Sequence, residues 1–193
     1  MHNSLRSLAD NLNFTVGSVV KLKNIDIIYH KTNMELPKNF EYFERKTPNI
    51  VEKFLRKQGD EICQEKIGTD YVKARLQDYD FGFVRSSVKA QIGQVRTRQT
   101  EHHVYSFILC KLIPAFNIIS VTLVCSRTNS KDGKQLMELA EQKAKQMNCH
   151  QLSLTAVGNS RLLHWYESQG YIKIDDKPIM DSKRKAYSMM KNI

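Results

Sequence analysis

The chain has 193 residues, 41% of them hydrophobic and 9% aromatic. That is enough apolar material for the core of one folded domain, and it excludes a wholly disordered protein. Thirty Lys and Arg against twenty Asp and Glu give a formal net charge of +10, a field that attracts polyanions and suits weak non-specific nucleic-acid binding and a phosphate-rich cofactor equally.

The longest apolar stretch, residues 104–125, is interrupted by Lys111, Pro114 and Asn117, so it falls short of the roughly 20 apolar residues that cross a bilayer. The opening MHNSLRSLADNLNF lacks the apolar centre of a secretory signal. The expectation is a soluble intracellular protein, cytoplasmic and without a membrane partner. Cys63, Cys110, Cys125 and Cys149 show no metal-knuckle spacing, and three of them lie in apolar runs, so buried thiols are expected rather than a disulfide. His102 and His103 are not followed by further ligands at zinc spacing, and no metal is expected.

Residues 1–35 mix short apolar pieces, with a strand expected over 18–29 from its β-branched content. From 39 to 77 the apolar residues Phe40, Tyr42, Phe43, Ile50, Val51, Phe54, Leu55, Ile62, Tyr71 and Val72 recur at helical spacings, which predicts two or three helices. Thr47 and Pro48 suit a helix start, and Gly59 and Gly68 are the expected breaks. Strands are expected at 81–88, 91–98, 103–113 and 118–126, rich in Val, Ile, Phe and Thr. The last two are apolar on both faces, as in a sheet covered on both sides.

Residues 132–147 form the clearest helix, with Leu136, Ala140, Ala144 and Met147 on one stripe. A strand at 151–157, a helix at 160–169 and strands at 171–174 and 186–191 complete an α/β order.

Two turns in this half carry chemistry. CSRTNSKDGKQLM, residues 125–137, leaves a buried strand and enters the strong helix, whose first N–H groups and dipole would stabilise a phosphate. Arg127, Lys131 and Lys134 add full charges there, while Asn129, Ser130 and Asp132 offer the alternative of a simply capped helix start. In GNSRLLHWYESQGY, residues 158–171, Asn159 suits an N-cap and Gly170 a helix stop. Tyr166 lies two helical turns after Asn159 on the same face, either as core or as part of a site.

Taken together, the order loop, helix, strand, Asn-x6-Tyr and Gly-aromatic resembles the acetyl-CoA half of the GNAT superfamily of N-acetyltransferases, over residues 118–171. The resemblance implies a GNAT-like mixed, mostly antiparallel sheet with helices on both faces, in a single domain spanning 1–193. Residues 1–80 would supply the acceptor side and 81–193 the central sheet and acetyl-CoA side. The family's pyrophosphate motif falls on Thr128, Lys131 and Gly133, of which only the glycine is kept. Arg127 sits one place early, and Asp132 brings a carboxylate to the loop. By the same resemblance, backbone groups of Leu123, Val124 and Cys125 would pair with the pantetheine arm. Asn159 would bind the same arm, and Tyr166 would stand at the sulfur.

The implied reaction is direct attack of a primary amine on the thioester of acetyl-CoA in a ternary complex. Backbone N–H of Val124 or Cys125 would serve the oxyanion and Tyr166 would act as the acid for the leaving thiolate. The acceptor is a small-molecule or protein amine. A polycationic acceptor would need a local acidic pocket, for which Glu65, Asp78 and Asp80 are the candidates. The strand ISVTLVCS carries no carboxylate; Glu101, His102 and His103 are the candidate bases. The competing class is a GNAT-like binding module that has lost catalysis and uses its basic surface for nucleic acid or a structural partner.

Overall fold

In the computed structural model the chain divides into units at 1–33 and 34–193. The structure describes the second unit apart from residues 46–49, 64–70, 91–99, 128–130, 158–159 and 182–183. The expected strands at 18–29 and 91–98, the helix start at Thr47–Pro48 and the break at Gly68 lie outside the described residues.

Among the described residues, eight strands form one sheet in the order β1-β2-β3-β4-β5-β8-β6, with β7 also paired to β8. They are β1 (Phe40–Glu44), β2 (Phe81–Ala90), β3 (Thr100–Ile113), β4 (Ile118–Ser126), β5 (Gln151–Val157), β6 (Ile172–Lys173), β7 (Ile179–Asp181) and β8 (Arg184–Asn192). Helices α1 (Ile50–Ile62) and α2 (Tyr71–Arg75) precede the central strands, whereas α3 (Asp132–Gln146) and α4 (Ser160–Ser168) follow β4 and β5. Every pairing among the described residues is antiparallel except β4 with β5. The parallel pair is joined through α3, the crossover such a connection requires.

The sheet is covered on both faces. Leu136, Met137, Ala140 and Ala144 of α3 pack with Phe83, Ile108 and Cys110 in one core cluster. Leu55 and Ile62 of α1 and Val72 of α2 pack with Val84, Phe107 and Leu109 in the other. Alternation along β3 sends Phe107 and Leu109 into one core and Ile108 and Cys110 into the other, which is why this strand reads as apolar on both faces.

Two sequence expectations are corrected. Phe40, Tyr42 and Phe43 belong to a strand, not a helix. Phe40 and Tyr42 join the α3-side core and Phe43 the α1-side core, and this two-sided burial mimics a helical spacing. Gly59 does not break the chain but lies inside α1, buried. A Cβ there would come within 2.6 Å of Val72 Cγ1, so its lack of a side chain lets α1 and α2 approach closely.

A bulge at Thr122 sets which core each residue of β4 faces. Leu109 pairs with Leu123 while Cys110 pairs with Val121, so Thr122 is the extra residue. Its Oγ1 donates to the Leu109 carbonyl at 3.1 Å. The insertion reverses the facing of β4: Ile119 and Val121 point into the α3-side core, Leu123 and Cys125 into the α1-side core.

Candidate active site

The parallel pairing of β4 with β5 runs from Ile118–Gln151 to Val121–Leu154. Beyond these residues no pairing of the two strands is described, and a cavity of about 780 Å³ opens between them, a size typical of small-molecule sites. One wall is β4 from Val121 to Ser126, and the other is Leu154, Thr155 and Val157 of β5 with Leu162, Trp165 and Tyr166 of α4. Alternate residues of a strand turn their N–H and C=O groups to each side, so β4 presents backbone polar groups to this wedge.

One end of the cavity is basic. Arg127, Lys131, Gly133 and Lys134 line it at the start of α3. Lys131 stands at the N-cap position without a side-chain capping hydrogen bond of its own, and the first N–H groups of a helix have no partner within the helix. The Arg127 N–H donates to the Tyr105 carbonyl at 3.2 Å, and its guanidinium lies 5.9 Å from the Tyr105 ring centre. A Cβ on Gly133 would meet the Trp165 ring at 3.6 Å and the Ser126 Cβ at 3.9 Å, both ordinary contacts, so packing alone does not demand glycine here.

Asp132, which the sequence places in the same loop, is turned away from the cavity. Its side chain is 3% exposed and forms an ion pair with Arg85, and Ser106 Oγ donates to it at 3.1 Å. Arg85 and Ser106 face one another across β2 and β3. The carboxylate thus pins the start of α3 to the sheet, and its charge is met by a guanidinium and by the positive end of the helix.

Tyr166 is 6% exposed and lines the cavity. Its ring meets Trp165 edge-on with centroids 4.8 Å apart, and Tyr171 with centroids 5.9 Å apart. Leu123, Val124 and Cys125 lie along the β4 wall, as expected of a strand leading into the loop. Thr128, Asn129, Ser130 and Asn159 lie outside the described residues. So do the side chains of Glu101, His102 and His103, whose backbone starts β3.

The candidates for an acidic acceptor pocket have structural partners. Asp78 takes the Lys111 ammonium, and Asp80 Oδ2 accepts the Leu112 N–H at 2.8 Å; Glu65 lies outside the described residues.

The cysteine expectation is overturned in part. Cys63 and Cys125, 62 residues apart, form a disulfide, and both line the cavity. Their pairing follows from the end of α1 docking on the face to which the Thr122 bulge turns Cys125, a proximity no local pattern records. Cys110 and Cys149 are buried free thiols, as expected, and burial raises the thiol pKa of both. Sequence reasoning also passed over Trp165; the signal was its position as the chain's one tryptophan, beside Tyr166. No group of three or more metal-ligating side chains occurs among the described residues, and no described helix is long and apolar enough to cross a membrane.

This arrangement, a sheet splayed between β4 and β5 with a helix start at the mouth of the splay, is the fold of the GNAT superfamily of N-acetyltransferases. Solved structures similar to it include the NatC complex bound to Gag peptide and CoA, at 17% identity and a TM-score of 0.52, over 80% of this chain and 99% of that one. An acyl-CoA N-acyltransferase from Pseudomonas aeruginosa is similar at 12% identity and a TM-score of 0.55, over 79% and 98% of the two chains. A Bacillus subtilis acetyltransferase in complex with CoA is similar at 13% identity and a TM-score of 0.52, over 80% and 98%. No protein-family model matches the chain, and no curated protein matches it in sequence. At these identities the likeness establishes the fold.

Proposed function

We propose that the protein transfers an acetyl group from acetyl-CoA to a primary amine by direct attack in a ternary complex. The observation that carries this reading is the cavity itself, with backbone groups of β4 along its length, cations at one end and a phenol in its wall. Arg127, Lys131 and Lys134, with the N–H groups that open α3, would bind the phosphates. The pantetheine arm would lie along Leu123, Val124 and Cys125 as an added strand.

The amine lone pair attacks the thioester carbonyl, and the oxyanion takes a backbone N–H of Val124 or Cys125. The intermediate then collapses by breaking the carbon–sulfur bond as the Tyr166 hydroxyl donates a proton to the departing thiolate, and the proton that the attacking nitrogen loses to water restores the Tyr166 phenol through solvent. Asp132 takes no part in phosphate binding in this reading, because Arg85 and Ser106 hold it.

The test exploits Trp165. Acetyl-CoA titrated into the protein should change its fluorescence with a micromolar dissociation constant, and calorimetry should agree. Tyr166→Phe should retain that affinity while amine-dependent release of CoA thiol, followed over a panel of small amines and peptide N-termini, falls by about 10²–10⁴. Absence of binding at millimolar acetyl-CoA would refute the proposal.

A further inference from the structure

We propose that the Cys63–Cys125 bridge is a thiol-exchange site for free CoA, an inference that rests on the acyl-CoA reading of the cavity. The bridge lies in the cavity wall, and the reaction proposed above releases a thiol into that same space at every turnover. Of the two sulfur-bearing residues, Cys63 is half-buried while Cys125 is 6% exposed, so Cys63 is the accessible target and Cys125 the leaving group. The other two cysteines are buried outside the cavity lining, which leaves the bridge as the cavity's own sulfur chemistry among the described residues.

The step balances without an outside oxidant. The CoA thiolate attacks Cys63 Sγ, the Cys63–Cys125 bond breaks as the CoA–Cys63 bond forms, and Cys125 leaves as a thiolate. That thiolate takes up the proton which the CoA thiol gave to solvent. One disulfide is consumed and one is made, so the product is a covalent CoA adduct of Cys63 with a free thiol at Cys125. Acetyl-CoA cannot react this way, because its sulfur is acylated. The adduct fills the cavity, so free CoA would block acetyl-CoA covalently as well as by competition.

The experiment uses the oxidised full chain, free of reductant, with free CoA as the probe. After incubation, acid quench and alkylation of the unfolded chain, intact mass should exceed that of a CoA-free control, in which only the free thiols Cys110 and Cys149 are alkylated, by one CoA and one alkyl group, and peptide mapping should put CoA on Cys63 and the additional alkyl group on Cys125. Glutathione at the same concentration should react more than about tenfold more slowly, since a bound thiol acts at an effective molarity far above bulk. Excess acetyl-CoA should protect the bridge.

Binding of CoA seen by Trp165 fluorescence without an adduct would overturn the exchange while leaving the acyl-CoA reading intact. Equal rates with glutathione would overturn cavity-directed exchange. Failure of CoA to bind at all would overturn both.

Discussion

Replacing Asp132 by Ala removes a carboxylate that is 3% exposed, together with its ion pair to Arg85 and the hydrogen bond from Ser106 at 3.1 Å. A fully buried ion pair costs about 3–5 kcal/mol to break by removing one partner, but Arg85 is 37% exposed and can turn its freed charge to water. The appropriate figures are therefore about 1.5–3 kcal/mol for a charge-assisted hydrogen-bonded group and about 0.3–1 kcal/mol for an acid in the first turn of α3. The sum, about 2–4 kcal/mol, corresponds to a fall of roughly 6–12 °C in Tm for a chain of this size.

Asp132→Asn keeps the volume and can still accept from Ser106, so it should lose about half as much. Calorimetric unfolding measures both variants, and CoA titration of each tests where the carboxylate acts. If Asp132 faced the cofactor's phosphates, its removal would relieve repulsion, tightening CoA binding and leaving stability nearly intact. The geometry requires the reverse: lower stability, with a dissociation constant that moves less than about threefold. An unchanged Tm with tighter CoA binding would refute the reasoning.

Other outcomes rest on single side chains. Gly133→Ala should leave Tm unchanged or slightly raised, because the new methyl meets Trp165 and Ser126 at ordinary contact distances, yet weaken CoA binding by about tenfold or more; an unchanged affinity would show that no phosphate approaches this backbone. The Tyr171 hydroxyl is buried without a hydrogen-bond partner among the described residues, so Tyr171→Phe should leave stability unchanged or raise it by up to about 1 kcal/mol, and a clear loss in denaturant melts would contradict that.

Lys143 is 4% exposed and lies 4.8 Å from the Tyr42 ring centre; burial lowers its pKa, opposed by Glu44. The unfolded chain therefore binds this proton more tightly, and stability rises with pH between the lowered folded value and the ordinary 10.5. Lys143→Met should exceed the parent in Tm by most below that window, with the gap closing as pH approaches 10.5. A gap independent of pH from neutrality upward would contradict this.

Much of the fold was legible because its signals are local. The stripe of Leu136, Ala140 and Ala144 and the β-branched run of residues 118–126 each record in neighbouring residues the period of the element they form, and β4 and β5 lie where that pattern puts them. The likeness to acetyltransferases over residues 118–171 was legible for the same reason, being a fixed order of short elements and turns.

The tertiary structure decided what depends on residues distant in the chain. Phe40, Tyr42 and Phe43 form a strand because two cores exist to receive its two faces, and Gly59 stays helical because Val72 packs against it. Asp132, which the sequence places in the loop beside Lys131 and Lys134, is claimed by Arg85 and Ser106, a pair made adjacent by the register of β2 on β3. Cys63 and Cys125 meet because α1 ends over β4 where a one-residue bulge has turned the strand over. A local pattern reports which face a residue prefers; what it meets on that face is settled by sheet register and helix docking, which are properties of the whole packed chain.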